Sequence, residues 1–162
     1  MITFVRYLFV IVFCLVLQVT LLPHFLADPY QPNLLLIVVS YMGLRSRSPL
    51  AFLAVFAVGI AQDCFSGIYF GLHAFTYLCL YFVLAHTSSQ LYTDRRSLMI
   101  LVVFCGTVGS GLLSLVLLAL FSTADGIYAS ILPALIPQGL VNALVASVVF
   151  SFPALAAREE AA

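Results

Sequence analysis

Six long apolar runs follow one another along the chain, separated by short segments that contain proline, glycine, arginine or aspartate. Within each run the apolar residues are continuous, whereas a transmembrane β-strand would alternate apolar and polar positions, so the pattern predicts helices. A helix that crosses a bilayer needs about 20 residues, and 162 residues leave little beyond six such helices for a soluble domain. We therefore expect an all-α polytopic membrane protein with six transmembrane helices in a single domain, residues 1–162. The helices are predicted at about residues 4–22, 33–44, 49–63, 72–85, 98–121 and 131–157.

Three of the predicted helices are too short to cross a bilayer in a straight line. The uninterrupted apolar stretches of the second, third and fourth runs hold about 12–15 residues, at a rise of about 1.5 Å per residue. Two explanations stay open: the helices extend into flanking residues such as Phe65 and Tyr69, or part of the region is re-entrant. In the sixth run, Pro133, Pro137 and Pro153 are expected to interrupt the helix, because proline lacks a backbone N–H donor.

The composition excludes several classes of protein. Hydrophobic residues make up 64% of the chain and charged residues 7%, and the mean hydropathy is +1.20. A soluble domain carries about a quarter charged residues. A water-soluble enzyme, a nucleic-acid binder with a basic patch and a disordered chain are therefore excluded, because none could keep so much apolar surface away from water.

The few charges indicate how the chain is oriented in the membrane. If the N-terminus lies in the cytoplasm and six helices follow, all six arginines fall in cytoplasmic segments, as the positive-inside rule requires of short loops. The opposite segments then hold Asp28, Asp63 and Asp125 and no basic residue. Removing any one helix would scatter the arginines over both sides, so we expect both termini in the cytoplasm. The arginines are Arg6, Arg45, Arg47, Arg95, Arg96 and Arg158.

The most informative polar segment covers residues 59–77 and surrounds Asp63. Asp63 directly follows a long apolar run, where an ionisable residue is costly and is a candidate functional group. One interpretation is that Asp63 caps the turn between the third and fourth helices, with Ser66 or backbone N–H groups as partners. The other is that the segment contacts a ligand or a partner protein, and catalysis is the weakest option. The candidate residues are Gly59, Gln62, Asp63, Ser66, Gly67, Gly71, His73 and Tyr77.

Further residues are candidates for helix packing. A small-residue face on the fifth helix allows a close approach of another helix, within the chain or from a partner. Its members are Gly106, Thr107, Gly109, Ser110, Gly111 and Ser114. Gln138 and Asn142 are four residues apart on the sixth helix and share a face. Pro32 is well placed at the start of the second helix. An interhelical polar network is predicted from Gln18, Asn33, Ser40, Gln138 and Asn142.

Cysteine and histidine do not form the pattern of a metal site. The four cysteines include no C-x-x-C pair and are interpreted as small apolar packing residues. His24, His73 and His86 fall in separate boundary regions, whereas a metal site needs clustered ligands. The sequence therefore predicts neither a metal nor a cofactor.

Three stretches resemble the MreD family, integral membrane proteins of the bacterial rod-shape (elongation) machinery. The first is the proline that opens the second helix, in residues 31–36 (Gln-Pro-Asn-Leu-Leu-Leu), with Asn33 where many members carry aspartate. The second and most specific is the central motif of residues 59–74, Gly-x-x-Gln-Asp-x-x-Ser-Gly-x-x-x-Gly-Leu-His-Ala. The third is Asn-Ala-Leu at residues 142–144. With the length and the helix count, these stretches extend the resemblance over nearly the whole chain.

The resemblance implies a non-enzymatic role in the bacterial inner (cytoplasmic) membrane. MreD-like proteins associate with MreC, a bitopic protein whose bulk is periplasmic, and through it with MreB, RodA and a class B penicillin-binding transpeptidase. They support lateral peptidoglycan synthesis and rod shape. Their fold is similar to that of the substrate-binding S components of energy-coupling-factor transporters. Carried onto this chain, the motif positions Asp63, Ser66, Gly67, Gly71 and His73 are implied to lie at the outer face.

Two other functions are weighed against the scaffold role. A small-molecule-binding transporter subunit with an S-component fold would use the polar, glycine-rich outer end of the third and fourth helices. An intramembrane aspartyl hydrolase needs two carboxylates that share a proton, but Asp125 lies in a plain turn and makes a poor partner for Asp63. The sequence thus favours a membrane scaffold of the cell-elongation complex, with the transporter subunit as the alternative.

Overall fold

The regular secondary structure of the chain is helical wherever the structure describes it. The computed structural model describes residues 2–27, 30–45, 49–66, 69–88, 96–121 and 127–151, and all regular elements within these ranges are helices. The predicted all-α fold class is therefore confirmed.

The six predicted runs correspond to six helices in these ranges. Helix α1 has three consecutive parts: an α-helical part (Ile2–Val16), a π-helical segment (Leu17–Leu21) and a final α-helical turn (Leu22–Phe25). The other five are α2 (Leu34–Arg45), α3 (Pro49–Ser66), α4 (Leu72–Thr87), α5 (Arg96–Phe121) and α6 (Ile127–Ser151).

Proline does not interrupt the last helix as expected. Helix α6 runs through Pro133 and Pro137 and begins at Ile127, four residues before its predicted start. The expected interruption is wrong at both positions. Each proline removes only a local backbone hydrogen bond, while the apolar flanks of α6 pack along α5, its main neighbour. Pro153 lies outside the described residues.

Among the helices in the described ranges, three are long and apolar enough to cross a membrane. Their apolar spans are Leu8–Phe25 in α1, Ser97–Phe121 in α5 and Ile131–Phe150 in α6. Only 6%, 28% and 22% of the residues in the most apolar windows of these spans are buried, so their surfaces suit an apolar solvent. Helices α2, α3 and α4 are apolar but shorter, as their sequences predict.

Helix α2 occupies the centre of the molecule. It contacts each of the other five helices, and eight of its twelve residues are buried. Its apolar side chains pack between α3 and α4 in the main core cluster. The buried members of that cluster are Leu35, Leu36, Val39 and Met42 of α2, Ala51, Val55 and Val58 of α3, and Tyr77 and Tyr81 of α4.

Glycines decide how closely several helices approach each other. A Cβ atom at Gly59 would clash with the backbone of Ala74, so α3 and α4 are in direct backbone contact there. A Cβ atom at Gly106 would lie 3.3 Å from Leu80 Cδ1, so this glycine faces the inside of the molecule. A Cβ atom at Gly109 would meet no atom of a neighbouring element within 4 Å, and Gly109 is exposed. The predicted small-residue face is therefore divided, and Gly109 makes no helix contact within the described part of the chain.

We expect Gly59→Ala to lower the free energy of unfolding by about 1–3 kcal/mol, because the added methyl group meets the backbone of α4, which has no alternative rotamer. The measurement is the Tm of the purified chain in nanodiscs. Gly109→Ala is the matched control: it makes the same change on a lipid-facing surface and should leave the Tm unchanged or slightly higher, since alanine is the better helix former. Equal effects of the two substitutions would contradict the close packing of α3 on α4.

Candidate functional site

The carboxylate of Asp63, near the end of α3, caps the first turn of α4. Its Oδ2 accepts the backbone N–H groups of Gly71 at 2.9 Å and Ala74 at 3.1 Å. Its Oδ1 accepts the backbone N–H of His73 at 2.8 Å and also lies 2.8 Å from His73 Nδ1. The side chain of Asp63 is 0% exposed. Three of these four neighbouring atoms are backbone N–H donors at the start of α4, so the geometry is that of a helix cap that crosses from one helix to the next.

Gly71 makes this cap possible. It is the N-cap residue of α4 and has φ 96° and ψ −10°, in the left-handed region that glycine adopts without strain. This turn directs the N–H groups of Gly71, His73 and Ala74 at one carboxylate, while the N–H of Leu72 donates to the carbonyl of Tyr69. The first N–H groups of a helix have no partner within the helix, and a negative charge at that end is favourable. The sequence-based interpretation of Asp63 as a cap on backbone N–H groups agrees with this geometry.

The neighbouring motif residues take smaller parts in the cap. Ser66 Oγ donates to the backbone carbonyl of Asp63 at 3.4 Å, so it touches the main chain and not the carboxylate. Gly67 lies outside the described residues. Gly59 contributes through the backbone contact with α4 described above. The N–H of Ala74, which completes the cap, had no signal in the sequence because every residue carries such a donor.

A chain of side-chain contacts leads from this cap to α2. The imidazole of His73 meets the ring of Tyr77 edge to face, with the centroids 5.9 Å apart and an interplanar angle of 70°. The buried hydroxyl of Tyr77 accepts a hydrogen bond from Asn33 Nδ2 at 2.8 Å and donates to Asn33 Oδ1 at 3.1 Å. The motif of α4 is thereby connected to the residue that precedes α2.

The N-terminus of α2 is largely buried, and side chains accept three of the N–H groups at this end. The N–H of Asn33 donates to Asn142 Oδ1 at 2.7 Å, and the N–H of Leu36 donates to the side chain of Asn33 at 3.0 Å. The N–H of Leu35 donates to Gln18 Oε1 at 3.2 Å. Residues of α1 and α6 therefore provide the partners that water provides at an exposed helix end. The residue before them, Pro32, is buried and has no N–H to satisfy.

Asn142 extends the network to α5. It is 0% exposed, and its Nδ2 donates to Thr107 Oγ1 at 3.0 Å. Thr107 in turn donates to the carbonyl of Val103 at 2.8 Å. The single amide of Asn142 thus joins α6, α2 and α5.

Gln18 extends the network to α1 and α3. Gln18 lies in the π-helical segment and is buried, and its Nε2 donates to Gln62 Oε1 at 3.1 Å. Its backbone carbonyl accepts a hydrogen bond from Gln31 Nε2 at 3.2 Å. π-Helical turns are rare and often occur at functional positions. We therefore count the π-helical segment of α1, which brings Gln18 inward, as part of the site.

The predicted polar network is therefore present in part. Gln18, Asn33 and Asn142 come together as the sequence suggests, and Tyr77 and Gln62 of the motif join them. Gln138 is half-buried and makes no hydrogen bond within the described part of the chain, so it is not a member. The buried Ser40 Oγ has no hydrogen-bond partner there either. Thr107 was assigned to the small-residue face, and only its contact with Asn142 reveals the second role.

A separate apolar groove lies between the start of α4 and the end of α5. Its volume is about 480 Å³, and neither Asp63 nor His73 lines it. Apolar and aromatic side chains dominate the lining, so the groove provides few groups that could orient a polar ligand. The lining residues are Tyr69, Phe70, Gly71, Leu72, Phe75, Leu117, Leu118 and Phe121.

Comparison with known proteins identifies a family. The family model described as rod shape-determining protein MreD matches residues 1–155, nearly the whole chain. Neither the comparison with curated proteins nor that with solved structures gave a match.

We expect Asp63→Ala to lower the free energy of unfolding by at least about 2 kcal/mol, because buried N–H groups of α4 lose their acceptor. Asp63→Asn should have a smaller effect, since one oxygen still accepts. The Tm in nanodiscs measures both. Cys64→Ala is the control, because Cys64 is the next residue and is exposed. If Asp63→Ala unfolds at the temperature of Cys64→Ala, the capping role is wrong.

A second pair of substitutions tests the buried amide of α6. Asn142→Leu leaves the N–H of Asn33 without its acceptor and removes the donor to Thr107 Oγ1, so it should cost about 1–3 kcal/mol. Gln138→Leu, one turn earlier on the same helix, removes an amide that makes no hydrogen bond in the described residues and should leave the Tm nearly unchanged. A similar loss for both variants would argue against the network as the reason for burying Asn142.

Proposed function

Because the chain belongs to the MreD family of rod shape-determining proteins, we propose that it is a membrane scaffold of the bacterial cell-elongation complex. In this role it binds MreC directly and, in the same complex, lies with MreB, RodA and a class B penicillin-binding transpeptidase. The scaffold supports lateral peptidoglycan synthesis and performs no catalytic step of its own.

The observation that best supports the scaffold role is the burial and hydrogen bonding of the Asp63 carboxylate. Its carboxylate is fully buried and accepts hydrogen bonds from three backbone N–H groups, with the His73 ring on the same oxygen. A general acid or a ligand-binding carboxylate needs an accessible oxygen within hydrogen-bond reach of the reacting group. The most distinctive charge of the motif is therefore used to hold two helices together, which supports a structural and partner-binding role.

We propose that the protein lies in the inner membrane with six crossings and both termini in the cytoplasm. In the described ranges, Arg6 lies near the start of α1, Arg45 ends α2 and Arg96 begins α5. Six alternating helices bring these positions to one side, as the positive-inside rule requires. The other charges used for this orientation lie outside the described residues: Asp28, Arg47, Arg95, Asp125 and Arg158.

Helix lengths support this orientation and define a depth for the polar network. Helix α2 has 12 residues, which extend about 18 Å into a hydrocarbon core about 30 Å thick. With Arg45 at the cytoplasmic surface, Asn33 lies near the middle of the core. Thr107 is 11 residues after Arg96, a distance of about 17 Å along α5. Asn142 joins these two residues, so two separate lengths agree on a network near the bilayer midplane.

The alternative, a small-molecule-binding transporter subunit, receives less support. Such a site needs a few polar groups that converge on a cavity. The apolar groove beside α4 offers mainly apolar side chains, and the Asp63 carboxylate and the Tyr77 hydroxyl already have hydrogen-bond partners within the chain. A thermal-shift screen with vitamins and lipid-linked wall precursors distinguishes the two: a ligand that raises the Tm would favour the transporter subunit.

Deletion of the gene should convert rod-shaped cells to round cells, and expression of the chain from a plasmid should restore the rod shape. The readout is the cell length-to-width ratio by microscopy, together with co-purification of MreC on the affinity-tagged chain from detergent-solubilised membranes. A tagged polytopic membrane protein of another family serves as the control for capture. Intact rod shape in a clean deletion strain would refute the proposed function.

A further inference from the structure

Pro23 removes a backbone N–H donor from α1 just after the π-helical segment. In an α-helix each carbonyl accepts the N–H four residues later, and in a π-helix it accepts the N–H five residues later. The N–H of Leu22 donates to the carbonyl of Leu17, which is the π-helical pattern. The carbonyl of Gln18 then needs the N–H of residue 23, which proline lacks. One carbonyl of α1 is therefore left without a donor from its own helix.

The register of the segment decides which carbonyl is left open. If α1 were α-helical throughout, Leu22 would donate to Gln18, and the open carbonyl would be that of Val19, because residue 23 is four positions later. In the π-helical register of the structure, the open carbonyl is that of Gln18 instead. The missing N–H of Pro23 thus removes about one backbone hydrogen bond in either register.

Gln31, in the segment before α2, fills the open position of the π-helical register. Its Nε2 donates to the carbonyl of Gln18 at 3.2 Å, in a partly buried place where an unpaired carbonyl costs free energy. Gln31 thereby pairs with the carbonyl that is open in the π-helical register only. A group that binds one of two states better shifts the population towards that state, so Gln31 stabilises the π-helical register.

The π-helical register matters because it orients the side chain of Gln18. That side chain donates to Gln62 of α3 at 3.1 Å and accepts the N–H of Leu35 of α2 at 3.2 Å. A register shift of one residue rotates one part of a helix against the other by about 100°. Gln18 and the turn Leu22–Phe25 could not both keep their positions after such a shift.

Few other contacts attach α1 to the bundle. Of the 18 residues Leu8–Phe25, 6% are buried, which corresponds to Gln18 alone. Half-buried side chains on the same face, Ile11, Cys14 and Leu15, pack against the main core cluster. Their spacing from Gln18 is that of one narrow helix face. The position of α1 therefore depends on where Gln18 points.

We propose that Pro23 and Gln31 form a register lock on α1: proline leaves the carbonyl of Gln18 open, and the amide of Gln31 replaces the N–H that proline lacks. The lock is a conformational device, because it holds α1 in the register that keeps Gln18 on α2 and α3. It needs no partner protein, so it is independent of the proposed scaffold function.

A double-mutant cycle tests whether Gln31 acts through the missing N–H of Pro23. Gln31→Leu should lower the Tm of the purified chain in nanodiscs by about 2–4 °C, since about one partly buried hydrogen bond is lost. Pro23→Ala supplies the N–H, so Gln31→Leu in that background should lower the Tm by less than half as much. Gln138→Leu is the matched control, because its amide makes no hydrogen bond in the described residues, and it should leave the Tm nearly unchanged in both backgrounds.

The size of the Tm change in each background decides the outcome. Equal losses from Gln31→Leu with Pro23 and with alanine at position 23 would mean that Gln31 does not replace the N–H of proline, and would overturn the lock. An unchanged Tm in the single variant Gln31→Leu would overturn it as well.

Deletion of Thr20 tests the lock with Pro23 and Gln31 intact, should Pro23→Ala fold poorly. With one residue fewer, the proline comes four positions after Gln18, so α1 can be α-helical throughout while the Gln18 carbonyl stays open to Gln31. The Tm should therefore stay within about 2 °C of that of the unaltered chain.

Deletion of Val16 is the matched control for the deletion of Thr20. Both residues are exposed and β-branched, and they lie four positions apart on α1. Val16 lies between Leu15 and Gln18, so its loss turns these two core-facing positions away from each other and should lower the Tm by about 4 °C or more. Equal losses of Tm from the two deletions would overturn the proposal.

Discussion

The buried N-terminus of α2 is the constraint on which the rest of the structure depends. A helix that begins inside an apolar molecule exposes N–H groups that no water can reach, and each unpaired group costs free energy comparable to a lost hydrogen bond. Asn142, Gln18 and Asn33 supply the acceptors. Because these residues come from different helices, satisfying α2 also fixes where α1 and α6 lie against it. The π-helical segment of α1 has its physical reason here, since it places Gln18 at α2.

Asp63 solves the same problem for α4, and the two solutions are connected. The carboxylate gathers the N–H groups of the first turn of α4, and the contact of His73 with Tyr77 leads from there to Asn33. Two short helices therefore begin on one continuous chain of side-chain contacts, in which the ring contact of His73 with Tyr77 joins two sets of hydrogen bonds. Such a bundle can present rigid surfaces to partners, which is what a scaffold requires, while the polar side chains at these two helix starts are bonded within the chain.

Local sequence signals predicted the structure well at some positions and poorly at others. Asp63 after a long apolar run was recognisable as exceptional, and its cap on backbone N–H groups was among the sequence-based interpretations. Pro133 and Pro137 led to a wrong prediction of an interrupted helix, because packing of α6 along α5 outweighed the preference of proline against helix interiors. Gly106 and Gly109 look alike in sequence, yet one faces Leu80 and the other faces outwards. They are three residues apart, which is slightly less than one full turn of an α-helix. The two positions therefore point in somewhat different directions, and each one meets a different neighbour.

The sequence by itself determined the helical class, the number of helices and the MreD resemblance. These properties follow from the hydrophobic runs, the proline and glycine positions and the sparse charges, because they depend on residue type and spacing along one chain. Only the tertiary structure decided that Asn142 bonds to Asn33 and that Gln138, one turn away, has no such bond in the described residues. It also decided that three backbone N–H groups and the His73 ring surround the buried carboxylate of Asp63. The reason is physical: a hydrogen bond between helices depends on their relative rotation and depth, and these are set by the packing of the whole bundle.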